Sequence, residues 1–103
     1  RKFHTDINDL RMLCTYFGPG TLWIKDENVN QQALDSTKED EPSLYDENDI
    51  ERVQEGDVVI LKGALYPSKK TNAIVHRSPN IEKNGEQRLL LRIDTNEFLN
   101  FDL

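Results

Sequence analysis

The sequence predicts a mostly β chain, an antiparallel sandwich or jelly roll (a double-stranded β-helix). Its apolar residues fall in short runs rich in β-branched and aromatic types, and glycine and proline cut those runs. No long stretch keeps the 3.6-residue period of an amphipathic helix. With 103 residues, one domain spanning 1–103 with one modest core is expected.

Leu10 to Phe17 reads as the first strand. Gly18-Pro19-Gly20 breaks it, because glycine reaches positive φ and proline fixes its own. Thr21 to Ile24 resumes an extended run, so the two strands make a hairpin or a corner between sheets. Residues 26–55 turn polar and acidic. Short helices are expected near Asn30 to Leu34 and Asp46 to Val53, inside what reads as a flexible insert. Gly56-Asp57 is a turn, and Val58 to Leu61 has the look of a buried strand. Ala73 to His76 is a further run, closed by Ser78-Pro79. Asn84-Gly85 signals a hairpin turn into the clearest strand, Gln87 to Asp94.

The net charge of -6 is unevenly placed. Residues 26–55 hold eleven acidic side chains against two basic ones. That segment argues against nucleic acid as a partner for its own surface. No apolar run approaches the roughly eighteen residues that cross a bilayer, so no membrane partner is expected. The one cysteine, Cys14, excludes an intrachain disulfide and reads as a small buried hydrophobe, which fits a cytoplasmic location.

The two histidines carry the chemistry. In an extended His4-Thr5-Asp6, residues i and i+2 point to one face, so imidazole and carboxylate can converge on one ion. His76 ends an apolar run and would add a third ligand if the fold returns the chain there. Two neutral imidazoles and one carboxylate leave coordination positions open for a chelating cosubstrate and dioxygen, the logic of non-haem iron oxygenases. The same donors suit a catalytic zinc. Spacing alone is also met by a surface His4 and a His76 that caps a strand. Arg88 follows across the Asn84-Gly85 turn, and its planar fork of donors matches a carboxylate. Arg92 shares its strand face, and two arginines there would bind two anionic groups. That use requires the Arg88/Leu90/Arg92 face to point inward. The Leu89/Leu91/Ile93 face would then need a cover from elements upstream of residue 1.

His4-Thr5-Asp6, His76 and Arg88, in this order, resemble the His-x-Asp…His…Arg pattern of the iron(II)/2-oxoglutarate-dependent dioxygenase superfamily. Leu10 to Thr21, Gly56 to Gly63, and Val75 to Pro79 with Arg88 to Leu91 resemble an uncharacterised bacterial domain-of-unknown-function family related to it. The resemblance implies an oxidoreductase with His4, Asp6 and His76 as iron(II) ligands and no catalytic residue apart from them. It implies 2-oxoglutarate as cosubstrate, anchored by Arg88, with Tyr16 and Thr21 as candidate hydrogen-bond donors. It implies a small-molecule or protein substrate of unknown identity. The chain opens almost at the first ligand, so a fragment of a longer protein is expected. Two other readings remain open at this point: a metal-binding jelly roll without oxygenase activity, and an interaction module worked by the acidic segment, which could also fold over the site's mouth.

Overall fold

A computed structural model of the chain describes residues 2–35, 43–67 and 71–95. The described residues form two small antiparallel sheets of three strands each, with few helices. Sheet 1 has the order β4-β1-β6, from β1 (Leu10–Phe17), β4 (Val58–Lys62) and β6 (Leu89–Thr95). Sheet 2 has the order β3-β2-β5, from β2 (Leu22–Ile24), β3 (Glu51–Arg52) and β5 (Val75–Arg77). An antiparallel bridge between His4 and His76 adds the N-terminal segment beyond β5.

The chain crosses from one sheet to the other at Gly18-Pro19-Gly20, so this break is a corner. Gly18 has φ +88, a conformation that side chains with a Cβ rarely adopt. At Gly20 a Cβ would run into the Val53 carbonyl, which explains a residue without a side chain there. Tyr16 sits at a register shift between Thr15 and Phe17, where the β1–β6 ladder bulges.

Strand register assigns the faces. Arg11 pairs with Leu61 and Asp94, Leu13 with Val59 and Arg92, and Thr15 with Leu90. Leu13, Thr15 and Leu61 are buried, so this face of sheet 1 points inward. The opposite face carries Val58, Ile60, Leu91 and Ile93, all exposed. The expectation of a buried strand at Val58 to Leu61 is therefore corrected: β4 alternates, with Leu61 inside and Val58 and Ile60 outside.

In sheet 2, Leu22, Ile24 and Val75 share one face and join Phe3 and Leu44 in the core cluster. Val29, Leu34 and Ile50 pack against it. Of these side chains, Val29 and Leu34 lie in segment 26–35, and Leu44 and Ile50 in 43–55. The acidic segment thus departs from an insert without regular structure. It contains a 3-10 turn at Asp26–Asn28, helix α1 (Gln31–Asp35), a bridge from Val29 to Leu44, and strand β3. Residues 36–42 lie outside the described residues. The buried Asn28 ties the two ends together: its amide donates to the Asp46 and Asp49 carbonyls, and its carbonyl oxygen accepts from the Asp46 amide.

Two sequence expectations give way to local chemistry. No helix forms over Asp46 to Val53, where a turn at 47–48 leads into β3. Asn84-Gly85 is not a hairpin turn but the end of a short helix, α2 (Ile81–Asn84). Gly85 takes the left-handed conformation at φ 67, and the amides of Gly85 and Glu86 return to the carbonyls of Glu82 and Ile81. That pair of bonds is the Schellman ending, which uses glycine for the same reason a hairpin does. Among the described residues, no helix is long and apolar enough to cross a membrane.

Candidate metal centre

The bridge between His4 and His76 is closed in both directions, by His4 N–H to His76 O at 3.0 Å and His76 N–H to His4 O at 2.9 Å. Directly paired residues share a face, so the two imidazoles lie side by side, with ring centroids 4.7 Å apart. Asp6, two residues after His4, joins them. Its Oδ2 lies 3.4 Å from His76 Nε2, and its Oδ1 lies 3.7 Å from His4 Nε2. One ligand atom from each of the three residues falls within 4.8 Å of the others. Donors bound about 2.1 Å from one ion at right angles sit about 3 Å apart, so this set needs little movement to close on a metal.

Proton placement favours that use. His4 Nδ1 lies 3.0 Å from the Lys2 carbonyl and His76 Nδ1 lies 3.2 Å from the Ile74 carbonyl. Assigning the Nδ1 protons to these bonds, as carbonyl acceptors demand, leaves a lone pair on each Nε2. Burial, the largest influence, pushes the His76 imidazole below its usual pKa against the pull of Asp6, which favours the neutral, ligating form. Asp6 Oδ2 is buried and accepts no hydrogen bond. A bare carboxylate oxygen facing an imidazole lone pair is repulsive unless a cation lies between them, so the donor set fits a metal ion.

Asp6 and His76 are buried, whereas the His4 side chain is 46% exposed and forms the open side. A groove of about 920 Å³ begins at His4 and runs past Phe3, Ile7, Lys62 and Tyr66. The acidic segment lines this groove with Asp26, Val29, Gln31, Leu34 and Asp35. It packs on the Leu22/Ile24/Val75 face of sheet 2, and His76 points from the other.

The remaining expected residues are placed as follows. The Arg88/Leu90/Arg92 face does point inward. Half-buried Arg88 donates from Nη2 to Thr21 Oγ1 at 2.6 Å. Its Nε is buried without a partner, and burial lowers its pKa. No carboxylate pairs with Arg88 among the described residues. Arg88 lines a separate cavity of about 320 Å³ with Pro79, Ile81 and Leu90, so it is not part of the His–Asp–His cluster itself. Thr21 is 3% exposed and is held to Arg88. Tyr16 is 57% exposed at the bulge and contacts none of these groups by any described hydrogen bond. Arg92 is mostly exposed, with Nε 3.7 Å from Asp94.

Sequence reasoning missed Arg11. Its Nη1 donates to Asp6 Oδ1 at 2.8 Å, and its Nε donates to Asp94 Oδ1 at 2.6 Å. The hydrogen bond to Asp94 is the main influence raising its pKa.

The chain is thus a small β-sheet protein with a His–Asp–His cluster of metal-ligand character, buried at Asp6 and His76 and open at His4. A family model described as a protein of unknown function (DUF1826) matches residues 1–94, and the chain belongs to that family. No curated protein and no solved structure matches it.

Proposed function

We propose that this chain is the core of an iron(II)/2-oxoglutarate-dependent oxygenase with a jelly-roll fold. His4, Asp6 and His76 hold the iron, and Arg88 anchors the cosubstrate. One observation carries the reading: two imidazoles and a carboxylate with a buried, unpartnered Oδ2 each bring a ligand atom within 4.8 Å of the others, while backbone carbonyls fix both rings from behind.

The strand pairing supports the jelly roll. β2 pairs with β3, inside β1 with β4, inside His4 with β5. Such nesting is a two-stranded ribbon rolled up on itself, so that successive turns fall alternately in two sheets. It returns His76 to His4 across some seventy residues.

When bound, iron(II) would supply dioxygen activation; of the four electrons that dioxygen takes up, two would come from 2-oxoglutarate as it loses carbon dioxide and two from the substrate that is oxidised. The chain's own contribution is placement. Backbone carbonyls aim His4 and His76, and burial favours the neutral form of His76. Arg88 offers a half-buried guanidinium with no carboxylate partner among the described residues, in a cavity where a dicarboxylate's far end would be neutralised. Thr21 accepts a hydrogen bond from Arg88, which leaves its own hydroxyl proton for the same ligand. Burial of Asp6 and His76 restricts approach to the side of His4.

Anaerobic titration with iron(II) and then 2-oxoglutarate tests this. A weak visible charge-transfer band is expected with the unaltered chain and lost in His76→Ala. Zinc-like binding of metal with no response to 2-oxoglutarate would favour a metal-binding jelly roll without oxygenase activity. Absence of any metal binding would refute both.

A further inference from the structure

We infer that Arg11 is a positioning residue for this centre, holding Oδ1 of Asp6 so that only Oδ2 is presented to the metal ion. The inference rests on the metal reading above. Arg11 lies on the inward face of β1, directly opposite Asp94 of β6. Asp94 takes two of its donors, Nε to Oδ1 at 2.6 Å and Nη2 to Oδ2 at 3.2 Å. A guanidinium is rigid and planar, so fixing two donors on Asp94 aims the third. That third donor, Nη1, meets Asp6 Oδ1 at 2.8 Å. The other Asp6 oxygen is left buried, without a hydrogen bond, beside His76 Nε2.

A salt bridge serving stability alone would gain most by engaging both Asp6 oxygens. Here the fork grips Asp94 with two donors and reserves a single donor for Asp6. A carboxylate oxygen that already accepts a charged hydrogen bond is the poorer donor to a metal, so the Arg11 bond favours Asp6 as a monodentate ligand through Oδ2. Of six octahedral positions, three then stay open, enough for a chelating cosubstrate and one more small molecule. The positive charge of Arg11 is neutralised by Asp94, so little repulsion reaches the ion. Asp94 also shares β6 with the strand that Arg88 leads into, and this links the ligand to the cosubstrate anchor through one strand.

Cobalt(II) is the probe, because its visible d–d absorption reports coordination number without turnover. The purified chain is titrated alongside Arg11→Met, Arg11→Lys and Asp94→Asn, with folding checked by circular dichroism. Second-sphere losses of this kind typically weaken metal binding tenfold to a hundredfold. That weakening, with a changed d–d band shape, is expected for Arg11→Met. Asp94→Asn should shift both readouts in the same direction by less, and Arg11→Lys should fall between. Should Arg11→Met fail to fold, Asp94→Asn carries the test, since it keeps Arg11 and releases its aim. Variants that lower the melting temperature yet bind cobalt(II) with unaltered affinity and spectrum would overturn the role of Arg11 and leave the centre standing. Failure of the unaltered chain to bind cobalt(II) would overturn the centre, and this role with it.

Discussion

Replacing Arg88 by methionine separates binding from stability. The side chain keeps its length and loses its charge. Two terms act on stability. The Arg88–Thr21 hydrogen bond contributes about 0.5–1.5 kcal/mol net, and its loss also strands a buried Thr21 hydroxyl. Against this, the substitution removes a buried, unpartnered Nε, a donor of the kind that costs about 1–3 kcal/mol. These nearly cancel, so stability should change by no more than about 1 kcal/mol, or roughly 4–8 °C in melting temperature for a chain of this size. Ligand binding has no such compensation. Removing one partner of a desolvated charge pair costs about 2–5 kcal/mol, which is roughly a 30-fold to several-thousand-fold loss of affinity. The assay is a pair of measurements: thermal unfolding without ligand, and calorimetric titration of 2-oxoglutarate onto the manganese(II)-loaded chain. A melting temperature more than about 10 °C lower, with unchanged affinity for 2-oxoglutarate, would show that Arg88 is a structural donor to Thr21 and refute its assignment as an anchor.

Leu44→Ala should destabilise the chain by about 2–3 kcal/mol, the lower part of the range for core leucines, because Leu44 lies in the cluster with Leu22, Ile24 and Val75. Urea unfolding measures it, and a change below about 0.5 kcal/mol would mean that the acidic segment does not cover sheet 2. The Arg11–Asp94 pair predicts a pH signature. Arg11, chiefly by its hydrogen bond, holds the Asp94 carboxyl below its usual value. A depressed carboxyl pKa adds stability above the unfolded value of about 3.9, and that stability is lost as pH falls through the folded value. The gap in urea midpoint between the metal-free chain and Asp94→Asn should therefore be present at about pH 6 and narrow as pH falls below the unfolded value of about 3.9, and a gap constant over the acid range would show that the bridge adds nothing.

The strands were legible where one face of a sheet is apolar. β1 could be read to the residue, since Leu10 to Phe17 is β-rich and the Gly-Pro-Gly corner admits no continuation. The acidic segment was misread because its apolar residues, Val29, Leu34, Leu44 and Ile50, follow no single period. They come from a turn, a helix, a bridge and the approach to a strand, each contributing one side chain to a shared cover. Net charge describes the outward side of such a segment and says nothing of its inward side. Asn84-Gly85 failed differently. Glycine at positive φ is demanded by a hairpin turn and by a Schellman helix end alike, so the dipeptide fixes a backbone conformation without fixing the element it closes.

The His4, Asp6 and His76 cluster could be proposed from spacing, because alternation along a strand is local and needs only one long-range return. Arg11 needed information of another kind. Parity along β1 places it with Leu13 and Thr15, which are buried, so a guanidinium there is stabilised by a carboxylate inside the molecule. Parity thus calls for an acidic partner without saying which one. The chain offers nineteen acidic residues, and only the β1–β6 register brings Asp94 opposite Arg11. A register one residue different would turn Arg92, Leu90 and Arg88 outward and place Ile93 beside Arg11. That register therefore decides together whether Asp94 can aim Arg11 at Asp6 and whether Arg88 faces the interior, and both parts of the proposed site depend on it.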